Sequence, residues 1–229
     1  RQRPERNPPP DQRLILFSPP PADDVISMGG TFLRLVDQRH EVHVAYQTSG
    51  NIAVSDLDAL RFAEFAQDFN SRDEVENPSL DEAIAALRTP DQGRDKDPKV
   101  VLSIKGLIRR GEAAAGARFC GLTDDHIHFL DLPFYETGKS KKNPIGQADV
   151  DIVMDLIREV RPHQIFAAGD LADPHGTHKV CLDAIFKALD QLEGDKAIKD
   201  TWLWLYRGAW QEWPINEIEM ASPHSPCLL

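Results

Sequence analysis

RLILFSPPPADDVISMGGTFLRLVDQRHEVHVAYQ, residues 13–47, holds a strand, a helix and a second strand in one short run. Residues 14–17 form an apolar run stopped by Ser18 and three prolines. That reads as a buried strand ending in a rigid loop, because proline fixes φ and lacks the N–H a sheet ladder needs. Asp23 and Asp24 then open an amphipathic helix over 25–38, with Ile26, Phe32, Leu33, Leu35 and Val36 expected to make its apolar contacts. Acidic residues at that end suit capping and the positive pole of the helix dipole. Residues 41–47 (EVHVAYQ) alternate and are rich in strand formers, and a turn, Thr48-Ser49-Gly50-Asn51, follows. Two strands joined through a helix are parallel, since the crossover returns the chain to the same edge.

Working outward, residues 52–99 are polar and helix-prone, with LDALRFAEFAQDF and SLDEAIAALR as two helices of an insertion. A longer helix is expected over 100–119, a third strand over 126–130 (HIHFL) and a helix over 148–160 before Arg161-Pro162. Residues 164–168 (QIFAA), 179–192 and 202–206 (WLWLY) read as strand, helix and strand. The whole predicts an α/β fold: a Rossmann-like three-layer α/β/α sandwich with a mostly parallel sheet, a helical insertion and strand order 3-2-1-4-5. Sites in such sheets lie beyond the carboxyl ends of the strands, here after residues 17, 47, 130, 168 and 206. Residues 1–12 (RQRPERNPPPDQ) have nothing apolar to bury and read as a flexible Pro-rich linker, with one domain over 13–229.

The 229 residues carry 26 Lys+Arg against 37 Asp+Glu, a formal net charge of −11 that argues against nucleic acid or an anionic membrane as partner. No apolar run approaches the ~20 residues a membrane helix needs. Three scattered cysteines, Cys120, Cys181 and Cys227, make neither a disulfide framework nor a thiolate zinc site, so a reducing, cytoplasmic setting is expected.

Two of the strand-end loops hold chemistry-bearing residues. The first runs Ser18-Pro19-Pro20-Pro21-Ala22-Asp23-Asp24; the second runs Gly169-Asp170-Leu171-Ala172-Asp173-Pro174-His175-Gly176-Thr177-His178. They follow strands expected to be neighbours. His175 and His178, three apart at a helix start, can place two imidazoles on one face, and a facing Asp23 completes a carboxylate–imidazole donor set. Two solvated histidines are the bland reading of the same pair.

Together the loops resemble the PIG-L (LmbE-like) family of zinc-dependent N-acetylglucosaminyl de-N-acetylases. That family's first motif is Pro-His-Pro-Asp-Asp-Glu/Asp before a Gly-Gly-Thr helix, here Gly29-Gly30-Thr31, and its later motif is His-x-x-His. Arg109-Arg110-Gly111-Glu112 is similar to its Arg-x-x-Glu helix. DDVISMGGT, YQTSGNIAV, DPHGTHKVCLDAI and WLYRGAWQEW look like a bacterial subgroup fused to a glucosamine-6-phosphate deaminase-like domain, which implies an upstream domain in the same polypeptide.

The resemblance implies Zn2+ as cofactor, an N-acetylated amino sugar as small-molecule substrate, and amide hydrolysis releasing acetate. It places Asp23 and His178 as metal ligands and His175 as the group that polarises or protonates at the oxyanion side. Arg109 falls on the substrate-binding arginine. Gly50, Arg207 and Trp210 are expected near the ligand from their places past strand ends. The match departs at two positions: the family's ligand histidine is Pro20 and its general-base aspartate is Ala22. Neither side chain can coordinate or move a proton. A crippled hydrolase is therefore expected, with a non-catalytic sugar-binding or interaction domain as the alternative. Nucleotide binding on the same sheet ranks below, because Gly-x-Gly-x-x-Gly is absent.

Among the remaining residues, His126 and His128 are two apart on a strand and read as structural. Trp202, Trp204, Tyr206 and Trp213 read as packing, and Cys181 as a small buried thiol. The Lys139–Lys142 cluster reads as a solvated loop and the best local place for an anionic group.

Overall fold

The structure, a computed structural model, describes residues 11–89, 97–137, 142–169, 173 and 176–208. The first strand, β1 (Arg13–Ser18), is followed by α1 (Asp23–Asp37) and β2 (Glu41–Tyr46). Next come α2 (Asp56–Arg72), α3 (Pro78–Arg88) and α4 (Lys99–Phe119). The chain then alternates through β3 (Ile127–Phe129), α5 (Gln147–Val160), β4 (Gln164–Ala168), α6 (Thr177–Gln191) and β5 (Trp202–Tyr206). All strands pair parallel in the order β3-β2-β1-β4-β5, as the sequence predicts.

Strand alternation builds the two cores. Leu14 and Leu16 of β1, with Val42, Val44 and Tyr46 of β2, pack with Met28, Phe32 and Leu35 of α1 and Ala113 and Ala117 of α4. Ile15, Phe17 and Ala45 face the other way, among Val153 and Ile157 of α5 and Ile185 of α6. Leu14, Ile15, Leu16 and Phe17 are fully buried, each worth about 1.5–3 kcal/mol of transfer free energy. A strand buried on both faces needs such a continuous apolar run.

On α1 the buried residues are Asp23, Asp24, Met28, Phe32 and Leu35. The expected contacts from Ile26 and Leu33 are corrected: they are 67% and 38% exposed. Seven positions apart, those two share a stripe on the side opposite Met28–Phe32. The insertion is present as expected. α2 and α3 pack through Ala63, Leu80 and Ile84, and buried Lys105 of α4 donates to Asp56 at 2.6 Å and Asp97 at 2.8 Å. The third strand is shorter than expected, because His126 belongs to a 3-10 turn (Asp124–His126) ahead of it. Of the Pro-rich start, residues 1–10 lie outside the described residues, while the Gln12 carbonyl accepts from the Glu41 N–H at 2.9 Å. No described helix is long and apolar enough to cross a membrane.

Candidate active site

Because β1 and β4 are neighbours at the centre of the sheet, the loops that leave them converge at its carboxyl edge. The first contains three consecutive prolines without N–H groups, so it is held through its carbonyls. Pro19 accepts from the Thr48 N–H (3.0 Å) and hydroxyl (2.8 Å), Pro20 from the Ser18 hydroxyl (2.7 Å), and Pro21 from the Arg109 guanidinium (2.5 Å). Ala22 then adopts a left-handed conformation, φ 86°, and α1 begins at Asp23 without a side-chain cap from either aspartate. The Ser18 hydroxyl accepts from the Asp24 N–H at 3.1 Å and so serves as a cap across the loop.

The second loop delivers His178 in the opening turn of α6. The Asp173 carboxylate accepts from the His178 N–H at 2.9 Å, and Gly176, at φ 74°, makes the left-handed step into the helix. His178 Nε2 comes to rest 3.0 Å from Asp23 Oδ2, both side chains about nine-tenths buried. Asp23 Oδ2 has no hydrogen-bond partner despite that closeness. Ligand atoms on one tetrahedral zinc, at Zn–N and Zn–O lengths of about 2.1 Å, stand roughly 3.4 Å apart. At 3.0 Å Asp23 and His178 stand at ion-pair distance, somewhat closer than two ligands of one such ion.

Asp24 sits behind them. Its Oδ2 accepts from the Tyr46 hydroxyl at 2.8 Å, and its buried Oδ1 has no partner. Burial pushes the Asp24 carboxyl above the usual carboxylate range, against the lowering effect of the Tyr46 hydrogen bond. Burial and the neighbouring Asp24 push the Tyr46 phenol up as well. The pair secures the first turn of α1 to the end of β2. Tyr46, Ser18 and Asp173 were not singled out from sequence. For Tyr46 the signal is its place as the last β2 residue on the alternation phase of Val42 and Val44, the face that meets α1.

Gly50 (φ 65°) lies directly against this loop. A Cβ there would stand 3.0 Å from Pro21 Cδ and 3.4 Å from Arg109 Nε. Arg109 also donates to Glu112, and its buried Nε has no partner. Arg207 is exposed just past the end of β5, the strand next to β4. His175 and Trp210 lie outside the described residues, as do Trp213, Cys227 and residues 139–141 of the lysine cluster. Lys142, packed 3.6 Å from the Tyr135 ring centroid, is lowered to about 8 by burial. Cys181 is a buried thiol, with burial raising its pKa.

Beside Gly50 a cleft of about 510 Å³ is lined by Ser49, Asn51, Arg110, Asp131 and Glu136 together with apolar Leu102 and Leu107. Glu136 accepts from the Ser49 N–H (3.3 Å) and the Asn51 amide (3.1 Å), and Arg110 pairs with Asp131.

A catalytic zinc is held by three protein ligands with water in the fourth place. Among the described residues Asp23 and His178 supply two, while Pro20 and Ala22 supply none. The unpartnered Asp23 Oδ2 with a buried imidazole beside it fits half of such a site, and the set is one ligand short of a whole one among the described residues.

Several known proteins share this arrangement of elements. The N,N'-diacetylchitobiose deacetylase of Pyrococcus horikoshii aligns over 92% of this chain and 67% of its own, with 16% identity and a TM-score of 0.50. A conserved protein of Thermus thermophilus aligns over 89% and 69%, at 18% identity and a TM-score of 0.53. A deacetylase of teicoplanin biosynthesis, solved with teicoplanin, aligns over 88% and 75%, at 14% identity and a TM-score of 0.51. At such identities these likenesses speak for the fold. In sequence, the chain is 57% identical over 231 aligned residues to a Bacteroides thetaiotaomicron protein described as glucosamine-6-phosphate deaminase-like. The alignment takes 98% of this chain and 35% of that protein, so the chain spans about a third of its relative's length. Residues 15–189, from the second apolar residue of β1 nearly to the end of α6, match the PIG-L family of GlcNAc-PI de-N-acetylases, and the chain belongs to that family.

Proposed function

We propose that this chain keeps the substrate pocket of a sugar de-N-acetylase and has lost most of its hydrolytic power. The observation that carries the reading is the Asp23–His178 pair: two buried donors 3.0 Å apart, one lacking a hydrogen bond, beside loop positions 20 and 22 that hold a proline and an alanine. In the reaction, water adds to the acetyl carbonyl, the carbon–nitrogen bond breaks, acetate leaves and the amine takes a proton. Ala22 cannot accept the proton of the attacking water, and loss of a general base costs about 10²–10⁴ in rate. Asp23 and His178 would be zinc ligands, His175 the group that polarises or protonates at the oxyanion side, and Arg109, Gly50, Arg207 and Trp210 the groups around an N-acetylated amino sugar.

A second reading, binding of the sugar without turnover, draws on the same pair. With no third ligand among the described residues, His178 and Asp23 can serve each other as ion-pair partners. The domain over 13–229, the Pro-rich linker over 1–12 and a cytoplasmic setting accompany the proposal. So does an upstream deaminase-like domain, supported by the length of the Bacteroides relative.

The test is acetate release from N-acetylglucosamine derivatives by zinc-supplemented protein, alongside Pro20→His/Ala22→Asp. Trace turnover that rises at least about 10²-fold in the double variant supports the weakened hydrolase. Sugar binding with zero turnover in the parent supports the second reading. Fast turnover by the parent, or no gain in a folded double variant, overturns the first.

A further inference from the structure

A second group of metal-binding side chains lies at the opposite end of the sheet, near the amino ends of β2 and β3. Strand alternation creates it: His43 shares the face of Ala45, away from Val42 and Val44, and β3 enters the sheet with His128 registered on Ala45. The 3-10 turn before β3 brings His126 in from the side, its ring centroid 4.4 Å from that of His43. Glu41, two residues before His43 on the same strand face, places Oε1 3.2 Å from His43 Nε2. One ligand atom from each of Glu41, His43 and His126 falls within 4.8 Å of the other two.

From this geometry we infer that Glu41, His43 and His126 form a surface zinc site, separate from the Asp23–His178 pair and with no part in the deacetylase chemistry. Two imidazoles and a carboxylate are a donor set that zinc takes readily, leaving a fourth position to water. His43 is already oriented for it. With the ion on Nε2, the remaining N–H is on Nδ1, which lies 2.9 Å from His128 Nε2. His128 then accepts that hydrogen bond and fixes the tautomer, the outer-shell arrangement usual behind a metal-bound histidine. Buried His43 sets the position, while Glu41 and His126, about 50% and 31% exposed as side chains, leave a path from solvent and room to close on an ion. Burial disfavours the charged forms of His43 and His128, and zinc requires neutral imidazole. Asp125 and Glu159 are the further charged groups whose fields reach the histidines, and their negative charge favours a bound cation.

The experiment counts zinc bound to the whole chain after metal-free preparation, by equilibrium dialysis, with visible Co2+ absorption as a report of imidazole coordination. Glu41→Gln alters an exposed side chain and His126→Ala a half-buried one outside both hydrophobic cores, so the fold should persist, and circular dichroism checks it. Each should weaken one equivalent of zinc by about 100-fold or more, and His128→Leu, which has no acceptor for His43 Nδ1–H, should weaken it about 10–100-fold through the lost outer-shell bond. Asp23→Asn should leave that equivalent intact. Retention of zinc by Glu41→Gln and His126→Ala, loss of all zinc in Asp23→Asn, or no zinc on the parent protein would each overturn the inference. The result is independent of the deacetylase reading, which acetate release tests.

Discussion

The two ends of β2 handle polar side chains in opposite ways. At the carboxyl end, Tyr46 points into the core and commits its hydroxyl to Asp24, and the donors nearby come from loops and helix starts: Asp23 at the start of α1, His178 at the start of α6. At the amino end, the donors come from strand alternation and one turn: Glu41, His43, His128 and His126. The first end is defined by backbone topology, which survives substitution of individual loop residues. On the proposed function, substitutions at two positions of the proline loop would remove chemistry there without removing the site. The second end is defined by side chains alone, and nothing in the fold requires it.

The largest effect that can break this contrast is at the carboxyl end. If topology has kept the site intact, Pro20→His/Ala22→Asp alone should raise acetate release by about 10²–10⁴-fold, measured under saturating zinc. A folded double variant with no gain would mean that the pocket, and not only the loop chemistry, has changed.

Next in size is the buried hydroxyl. Tyr46→Phe leaves Asp24 Oδ2 unpaired beside an Oδ1 that already lacks a partner. A destabilisation of about 1–3 kcal/mol is expected by urea unfolding, with the urea dependence unchanged. A loss under about 0.5 kcal/mol would show that Asp24 is protonated and repartnered without the phenol.

Much of this was legible in the sequence. The run at 14–17 is apolar because β1 is covered on both faces, and that coverage writes itself into composition; 202–206 is read as a strand from its aromatic and aliphatic residues although, at the sheet edge, Trp202 stays 55% exposed. The parallel order followed from crossovers long enough to hold helices. The Asp23–His178 meeting was readable because both residues sit at strand-end loops of neighbouring strands. The rest needed contacts between distant positions. Residues Ile26 and Leu33 looked like core on hydropathy, but only the placement of α1 on the sheet decides which of two stripes faces inward. The histidines at 126 and 128 seemed to share a strand face; the short 3-10 turn separates them, and their common neighbour, His43, is 85 residues from His128. Ser18 caps α1 from six residues away, a distance no local capping rule covers.

The amino end gives a smaller, pH-dependent effect. Burial holds His43 and His128 below the ordinary histidine value of 6.5 in the fold. The unfolded chain then binds more protons below that value, so the stability contributed by neutral imidazoles is present above about pH 6.5 and is lost as pH falls through the folded values. His40, lowered by burial too, acts in the same sense. Thermal midpoints should be level near neutrality and fall on the acid side. His128→Gln should flatten that fall, and added zinc should deepen it by raising stability only where the imidazoles are neutral. A midpoint unchanged down to pH 5 would separate the histidines from stability.

The smallest effect returns to the proline loop and asks whether its backbone still has the shape of a working site. Ala22 holds φ 86°, a conformation that costs an L-residue with a Cβ roughly 1–2 kcal/mol and that aspartate and asparagine adopt more readily. Glycine has no such cost but loses about 0.5–1 kcal/mol more chain entropy on folding. Ala22→Gly should therefore stabilise by about 0.5–1 kcal/mol, and Ala22→Asp should be at least neutral although it places a carboxylate near Asp23. If both variants destabilise, the loop has settled around alanine. If both hold or gain, position 22 has a backbone that accepts an aspartate, and on the proposed function the absence of a general base there is a side-chain loss alone.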